Sequence, residues 1–528
     1  MKRFLALLLA LVMLLSLVAC SKKKSSDTEE DDWWEEETEE TKETEKTGTN
    51  EDDERTKETD QQSLIIESDP GDKTNRYDAK IKNLNGHEFR FVVRDSTAKS
   101  LSVNEVYSEN INGDKVNDAV YARNAQLKKD YNCTIVEDRQ SNPTSAVREH
   151  LIAGEYVTDY ILGNVSNLRS LAAANLLADL NKVSTIDLDK AWWDHSAIEG
   201  INLGGMVYFL TGDGTTLDDR AARIMLFNKD WIEEYDPKLN LYDVVEKGEW
   251  TIDLMYELMV NTAKDLDGDG VLTIGVDRFG YVGEGFNNWV HVNGCGQTLS
   301  RVSPSGEYEI PAQPKAELLE VWEALRPVLT SPTRVVGDKE SLFTAGLATF
   351  YGSNLGKVLN APNSTVDFGV LPLPKLNQKQ DKYYGSVSYT QLGCFAIPTT
   401  VENCEDWETN GFNSGVEQAA YFLEAFCYQS MRILTPAFYD QVILKQSLRD
   451  VESAEMVEYA TENKIYDPVA GYDFGKMLTL FYEVGSPNND APGSDAAYDT
   501  FVSTYESRYT AARKALQDYL NYINTEAL

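Results

Sequence analysis

The stretch that decides the fold is FRFVVRD, residues 89–95, in which apolar and polar side chains alternate. β-Branched and aromatic residues in such an alternation predict a strand, the first of the body. The apolar positions of VNDAVYARNAQLKKDYN, residues 116–132, recur at helical spacing, and CTIVED, residues 133–138, again has the composition of a strand. Together the three stretches predict a β-α-β unit at the start of a globular body.

The same order of elements repeats directly afterwards. AVREHLIAGEYVTDYILGN, residues 146–164, predicts a helix that ends near Gly154 and then a strand over 160–162. LRSLAAANLLADL, residues 168–180, predicts another helix because its leucines and alanines form an apolar face.

Two further strands are predicted by GMVYFLTGD, residues 205–213, and by RIMLFNKDWIEEY, residues 223–235. The second runs into a helix whose first turn Asp230 is well placed to cap. Strands that alternate with helices predict an α/β fold with a mostly parallel sheet covered on both faces. Ligands of such sheets bind beyond the carboxyl ends of the strands.

The amino-terminal residues predict a secretion signal and a lipid anchor. Lys2 and Arg3 precede an apolar run from Phe4 to Val18, which is too short to cross a bilayer comfortably as a helix. Leu17, Val18 and Ala19, directly before Cys20, resemble the lipobox of bacterial lipoproteins. We therefore expect residues 1–19 to be removed and Cys20 to carry acyl chains such as palmitate. The alternative is an ordinary signal peptide with an incidental cysteine.

An acidic segment follows the predicted anchor. Residues 27–60 contain 18 acidic and 4 basic side chains and almost no aliphatic ones. Such a composition cannot bury enough apolar surface to offset the entropy lost on ordering, so residues 20–80 are expected to be a solvated tether.

The charge and the cysteines of the chain restrict its function. The net charge of −37 argues against nucleic acid and against an anionic lipid surface as partners. No later run is long and apolar enough to span a membrane, so the body beyond the tether is expected to be soluble and extracellular. Its five cysteines are scattered and odd in number, which indicates neither a disulfide framework nor a metal-ligand pattern.

Several motifs of the body, taken in order, resemble a known family. The resemblance is to the family 1 extracellular solute-binding lipoproteins, the receptors of bacterial ABC sugar importers, and it covers roughly residues 85–520. The motifs are LFNKDWIEEY (226–235), GEWTIDLMYELM (248–259), DLDGDG followed by DRFGY (265–281), SLFTAGLATFYGSN (341–354), DFGVLPLPK (367–375) and GCFAIPTT (393–400).

The resemblance implies a bilobal periplasmic-binding-protein-like fold of type II, with two α/β lobes joined by crossing strands and a ligand trapped between them. By similarity, the first lobe takes residues 85–218 and 392–455, and the second takes 219–391 and 456–528. It further implies a monomer that binds a carbohydrate and delivers it to the permease subunits of the importer, on the outer face of the cytoplasmic membrane.

The candidate ligand contacts of the second lobe follow from the resemblance. Sugars need flat apolar faces and forked polar groups, and GEGFNNWVHVNGCGQ, residues 283–297, supplies both. Glu284, Phe286 and Asn287 are carried over as contacts, and Trp289 either stacks on ligand or lies in the core.

A second ligand-facing loop of this lobe is matched by Tyr351 and Asn354. The family often has tryptophan there and this chain does not. The absence weakens the assignment of a sugar as the ligand.

The first lobe offers three more candidate contacts. Trp193 stands in KAWWDHSAIEGINLGG, residues 190–205, beside a carboxylate and a histidine, where it either lines the cleft or anchors a loop. Asp213 lies close to the predicted first crossing between lobes and either reaches a ligand hydroxyl or holds the turn. Asn164 ends a predicted strand at the edge that faces the cleft and is a candidate hydrogen-bond donor.

A calcium-loop pattern lies within the third motif. Asp265, Asp267 and Asp269 occupy alternate positions and a glycine stands sixth, as in loops that turn several oxygens onto a hard cation. The twelfth position is Val276 and the acid comes one residue later, at Asp277. Both a structural calcium ion and a plain polar turn fit this pattern.

Two other classes of protein compete with the solute-binding hypothesis: a surface-anchored carbohydrate-active hydrolase and a calcium-dependent polysaccharide-binding adhesin. The chain has 4 histidines, none in an HExxH pair, and neither a GxSxG elbow nor a phosphate loop. We therefore expect a binding protein that closes on its ligand by hinge motion, with no catalytic residues and no required cofactor.

Overall fold

The alternating stretch FRFVVRD forms a central strand. In a computed structural model of the chain, it lies in strand β1, Glu88–Arg94. Its phenylalanines, Phe89 and Phe91, enter one hydrophobic core, and Val92 enters another on the opposite face. Helix α1, Lys115–Tyr131, begins where Asp114 caps its first turn, and strand β2, Thr134–Gln140, then pairs in parallel with β1. The predicted β-α-β unit is confirmed.

The structure describes residues 75–95, 105–283, 287–303, 308–337, 340–358, 365–439, 448, 450–485 and 500–525. These residues belong to one compact unit. The predicted signal peptide, Cys20 and the residues of the acidic tether up to 74 lie outside the described residues.

The remaining elements follow in chain order. The strands are β3 Tyr160–Asn164, β4 Arg223–Asn228, β5 Phe279–Gly283, β6 Arg301–Val302, β7 Tyr308–Glu309, β8 Arg334–Val336, β9 Ala348–Asn354, β10 Phe368–Leu371, β11 Gly385–Ser386, β12 Gly393–Ala396 and β13 Lys464–Ile465. The helices up to the fourth motif are α2 Pro143–Ile152, α3 Val165–Ala172, α4 His195–Ile201, α5 Leu217–Arg220, α6 Lys229–Tyr235, α7 Leu241–Glu246, α8 Ile252–Thr262, α9 Asn287–Gly294 and α10 Ala316–Thr330. The later helices are α11 Glu340–Thr344, α12 Leu355–Val358, α13 Gly415–Pro436, α14 Val451–Thr461, α15 Pro468–Gly471, α16 Thr479–Gly485 and α17 Phe501–Thr525.

Two mixed sheets organise the chain. The first sheet has the strand order β12-β3-β1-β2, and the second has the order β10-β4-β9-β5-β8. The pairs β1–β2, β1–β3, β5–β8 and β5–β9 are parallel. Strands β12 and β4 pair antiparallel to their neighbours. The α/β prediction is confirmed, but the sheets are less parallel than predicted because each contains strands that enter after a crossing from the other sheet.

The chain passes between the two sheets three times. It leaves the first sheet after β3 and enters the second at β4, and it returns after β10 to add β12 to the first sheet. Helix α13 then packs on α1 beside the first sheet, whereas α14 packs on β10 of the second. The boundary expected at residue 455 therefore falls inside α14.

Two predicted elements differ from the structure. Residues 205–213 form no ladder strand and make only isolated bridges, Leu210 to Phe395 and Gly212 to Trp193. The helix predicted over 168–180 is α3, which begins at Val165 and ends at Ala172. Asn175 takes a left-handed conformation with φ of 52°, and this turns the chain out of the helix.

Two further predictions concern the cysteines and the start of α6. Cys133, Cys295, Cys394, Cys404 and Cys427 are free thiols, and all except Cys404 are buried. The residue that caps α6 is Asn228, whose side chain accepts from the backbone N–H of residue 230. Asp230 is the second residue of the helix and lies in its first turn, as predicted, but the N-cap itself is Asn228.

Candidate ligand-binding pocket

A pocket of about 440 Å³ lies between a wall that is connected to the first sheet and a wall that is connected to the second sheet. One wall is the loop that leads into α4, together with the turn at Gly212, which is tied to β12 of the first sheet through Leu210. The opposite wall comes from the end of α14, which packs on the second sheet, and from β13. The lining side chains include two tryptophans and five carboxylates: Trp192, Trp193, Asp194, Asp213, Asp218, Asp219 and Glu462.

The loop and the turn are held together by backbone hydrogen bonds. The N–H of Asp213 donates to the carbonyl oxygen of Trp192 at 3.0 Å, and the N–H of Asp194 donates to that of Thr211 at 3.0 Å. The carboxylate of Asp194 also caps α4, because it accepts from the N–H of Ala197 at 2.9 Å. These bonds place the double tryptophan and Asp213 on adjoining segments of one wall.

A buried lysine joins the two walls. Lys464 Nζ lies 3.1 Å from Asp194 Oδ2, 3.0 Å from Asp218 Oδ2 and 3.3 Å from Asp219 Oδ1. The hydroxyl of Tyr466 donates to Asp194 Oδ2 at 2.7 Å. One ammonium group thus faces three carboxylates.

Burial and charge shift the pKa values of this cluster in opposite directions. Burial raises the pKa of Asp218 well above its usual range, and repulsion from Asp219 adds to the effect. Burial acts to lower the pKa of Lys464, but attraction to the carboxylates outweighs it and holds this pKa above the usual lysine value. For Asp194, burial is likewise outweighed by Lys464, so its pKa is lowered.

Asp213 stands apart from the lysine and is partly open to the pocket. Burial raises the pKa of its carboxyl group to about 7, although the hydroxyl of Thr435 donates to it and opposes the rise. Near neutral pH this group is therefore present in both the protonated and the ionised form, so it can donate a hydrogen bond as well as accept one.

Trp193 and Asp213 are the two sequence-predicted contacts that the structure brings together in this pocket. Trp193 is 3% exposed, so only a small part of it is open to the cavity. Glu284 and Phe286 lie outside the described residues, and Asn287 is described only as the first residue of α9.

The other predicted contacts form helix caps, hydrogen bonds within the fold or core packing. Asn164 caps α3 and donates to the carbonyl oxygen of Thr390 at 3.0 Å. Asn354 accepts from the N–H of Lys357 at the start of α12, and the hydroxyl of Tyr351 accepts from the ammonium group of the same lysine. Trp289 is fully buried against Phe481, with ring centroids 5.1 Å apart. None of these four side chains lines the pocket around Lys464.

The calcium-loop pattern folds into a tight exposed turn. The carboxylates of Asp265, Asp267 and Asp269 come together, with one oxygen of each within 4.8 Å of the others. Asp277 is buried and accepts from the N–H groups of Leu266 and Thr273, both at 2.7 Å. Three of the four predicted ligands therefore converge. The fourth, Asp277, instead stabilises the loop by accepting two backbone hydrogen bonds.

Lys464, Asp218 and Asp219 are pocket residues that were not predicted from the sequence. Lys464 follows Asp218 by 246 residues and lies in a short strand without a recognisable motif. Asp218 and Asp219 belong to the stretch LTGDGTTLDD, and the two adjacent acids at a predicted crossing were the signal that could have found them.

Comparison with solved structures finds likenesses along most of the chain. An ABC substrate-binding protein from Listeria monocytogenes in complex with cycloalternan is 12% identical with a TM-score of 0.46, covering 84% of this chain and 99% of that one. A family 1 extracellular solute-binding protein from Bifidobacterium longum subsp. infantis is 12% identical with a TM-score of 0.47, covering 83% and 99%. A sugar transporter from Rhizobium etli in an open conformation is 12% identical with a TM-score of 0.49, covering 83% and 99%.

No family model matches the chain, and no curated protein matches its sequence. At identities this low, no residue role passes from those structures to this chain. Among the described residues, no helix combines the length and the apolar character that crossing a membrane requires.

Proposed function

We propose that this chain is the substrate-binding lipoprotein of an ABC importer, and that it captures an extracellular carbohydrate, an oligosaccharide in the first instance, for delivery to a membrane permease. The observation that carries the proposal is the pocket of about 440 Å³ between parts attached to the two sheets. A cavity of that size holds a few sugar rings rather than a polymer. The chain works by binding alone, without catalytic residues.

The polar groups of the pocket suit hydroxyl-rich ligands. A sugar hydroxyl both donates and accepts, so it pairs well with a carboxylate beside an ammonium group, as at Lys464 and Asp219. Asp213, whose pKa is about 7, can serve as donor or acceptor. The small exposed part of Trp193 supplies apolar contact for C–H groups of a pyranose.

Hinge closure follows from where the walls come from. Because one wall is tied to the first sheet and the other to the second, a ligand in contact with both stabilises the arrangement in which they are close. The three chain crossings supply the hinge. Only the closed form would dock productively on the permease.

A thermal-shift screen against mono- and oligosaccharides tests the proposal. We expect at least one sugar to raise the melting temperature with increasing concentration, because a ligand that binds the folded state stabilises it by mass action. Asp213→Asn should weaken the binding of that sugar by roughly 10-fold or more, because a buried polar contact contributes about 1–3 kcal/mol to the binding free energy. Exposed Asp189→Asn is the matched control and should bind as the wild type does.

One more variant and three outcomes of the sugar screen decide between the hypotheses. Loss of the hit in Glu284→Ala would extend the site to the second-lobe loop predicted from the sequence. A screen with no hit, or a hit indifferent to Asp213→Asn, would contradict the proposal. Hydrolysis of the bound oligosaccharide by the pure protein would instead favour a carbohydrate-active hydrolase.

The lipid anchor is the second part of the proposal. Acylation at Cys20 would keep the receptor beside its permease, and the acidic segment that follows would hold the body clear of the membrane. In cells fed labelled palmitate, the wild-type chain should carry the label and remain in the membrane fraction. Cys20→Ser should carry none and appear in the soluble fraction; label that persists in this variant would contradict the anchor.

A structural calcium ion at the Asp265 loop is the third part. Three converging carboxylates fit a hard cation, and the missing acid at the twelfth position points to weak, extracellular-type affinity, on the order of 0.1–1 mM. Calcium at a few times that concentration should raise the melting temperature of the wild type more than magnesium does. Asp267→Asn should abolish this difference, and an equal response to both ions in the wild type would indicate a polar turn without a specific site.

A further inference from the structure

A cluster of metal-binding side chains lies at the start of the first sheet, outside the pocket. His87 directly precedes β1, and Cys404 and Asp406 follow the short 3-10 helix Thr399–Asn403. One ligand atom of each of the three residues lies within 4.8 Å of the others. Imidazole, thiol and carboxylate are thus brought together from two distant parts of the chain.

The cluster is held together by hydrogen bonds, and its ligand atoms lie somewhat closer to one another than in a tetrahedral zinc site. His87 Nδ1 lies 2.6 Å from Asp406 Oδ2, and Cys404 Sγ lies 3.1 Å from Asp406 Oδ1. Zinc bonds of 2.0–2.3 Å place neighbouring ligand atoms about 3.3–3.8 Å apart. A small outward movement of the Asp406 side chain, which is 40% exposed, would open that space.

The second nitrogen of the histidine is a separate observation that points to a metal. His87 is 6% exposed, and its Nε2 makes no hydrogen bond of good geometry. This nitrogen faces Asp159 Oδ1 at 3.5 Å. When a metal occupies one nitrogen of a histidine, the other usually donates its proton to a carboxylate, which fixes the ring.

The carboxylate of Asp159 is itself held in place. Asp159 Oδ2 accepts from the N–H of Arg90 at 2.8 Å, and Oδ1 accepts from the hydroxyl of Tyr156 at 3.0 Å. On the other side of the ring, Gln418 Nε2 donates to Asp406 Oδ1 at 3.0 Å. The buried carboxylate of Asp159 therefore has a fixed orientation, whereas Asp406, with its side chain 40% exposed, has room to move.

We propose that His87, Cys404 and Asp406 bind a zinc ion, with Asp159 orienting the histidine. Thiolate and imidazole together select zinc over calcium and magnesium, which prefer oxygen ligands. Because the Asp406 side chain is 40% exposed, water could supply a fourth ligand. The ion would tie the loop that follows β12 to the start of β1 and so stabilise the first sheet.

Titration of the full, metal-stripped chain with zinc tests the site. We expect one saturable site by calorimetry, and a thiolate-to-metal charge-transfer band when cobalt replaces zinc. Cys404→Ser should remove that band, and His87→Gln should weaken zinc binding more than Asp159→Asn does. Asp159→Asn should lower the zinc affinity by about 10–100-fold, the usual effect of losing the hydrogen-bond partner of a metal-binding histidine.

Two matched controls separate this site from adventitious binding. His150→Gln removes an exposed histidine that pairs only with Glu155 among the described residues, and Cys295→Ser removes a buried free thiol outside the cluster. Both variants should bind zinc as the wild type does. If Cys404→Ser does not fold without metal, as judged by circular dichroism, Asp406→Asn replaces it and should likewise weaken binding.

Two results would contradict zinc binding by His87, Cys404 and Asp406. If zinc finds no saturable site, or binds the His87 and Cys404 variants as well as the wild type, the cluster is an ion pair in which His87 is held between Asp159 and Asp406. A cobalt complex without a thiolate band would exclude Cys404 as a ligand.

Discussion

Replacing Lys464 with methionine should lower the free energy of unfolding by about 3–5 kcal/mol at neutral pH, the usual result of removing one partner from a buried ion cluster. The lysine lies within 3.3 Å of three carboxylates and its side chain is 9% exposed. Methionine keeps the length and the apolar stem, so the loss reports on the missing charge. Urea unfolding at constant ionic strength measures it.

The pH dependence of this loss identifies its cause. In the wild type burial already raises the pKa of Asp218, and loss of the ammonium group should raise it further. The pKa of Asp194, which Lys464 holds below its usual value, should rise as well. A carboxyl group whose folded pKa exceeds its unfolded pKa favours folding at low pH, and this contribution is lost as the pH rises. The deficit of Lys464→Met should therefore be largest at about pH 8 and should shrink below about pH 5.

A surface lysine provides the control. Lys514 pairs with Asp518 one helical turn away, and its side chain is 75% exposed. Lys514→Met should leave the unfolding midpoint almost unchanged, because exposed ion pairs contribute little. A Lys464→Met variant as stable as this control at every pH would show that the cluster is not the electrostatic link between the two walls.

The sequence predicted the local elements better than their assembly. β1, α1 and β2 follow from hydrophobic periodicity and caps, which act over a few residues. Residues 205–213 have the composition of a strand, yet they form only isolated bridges, because their neighbours are Trp193 and Phe395 rather than a continuous strand. Such neighbours are set by the crossings between sheets, which no local pattern encodes.

The pocket shows the same limit. Trp193 and Asp213 could be proposed because each stands beside an aromatic or acidic motif in its own segment. Their meeting with Lys464 depends on α14 packing against the second sheet, more than two hundred residues later, as the 246-residue separation of Lys464 and Asp218 shows. Asn164 and Asn354 illustrate the converse, because a polar residue at a strand end serves a helix cap as readily as a ligand.

Gly212→Ala should destabilise the chain by about 3 kcal/mol or more and should abolish carbohydrate binding in the proposed pocket. A Cβ atom at this position would lie 2.1 Å from the carbonyl oxygen of Trp192, and the backbone φ of 149° is one that side chains rarely adopt. Relief of this clash would have to separate Gly212 from its bridge partner Trp193. Because Asp213 follows directly, both sequence-predicted contacts of the pocket would move.

A second glycine separates the clash from backbone strain. Gly205 also has a positive φ, 75°, but a Cβ atom there would meet nothing within 4 Å. Gly205→Ala should therefore cost only about 1–2 kcal/mol, the strain of a left-handed residue, and should leave the melting-temperature response to sugar intact. If Gly212→Ala and Gly205→Ala lose equal stability and both respond to the sugar, the close approach of Gly212 to Trp192 does not shape the binding wall, and the ligand is held elsewhere on the chain.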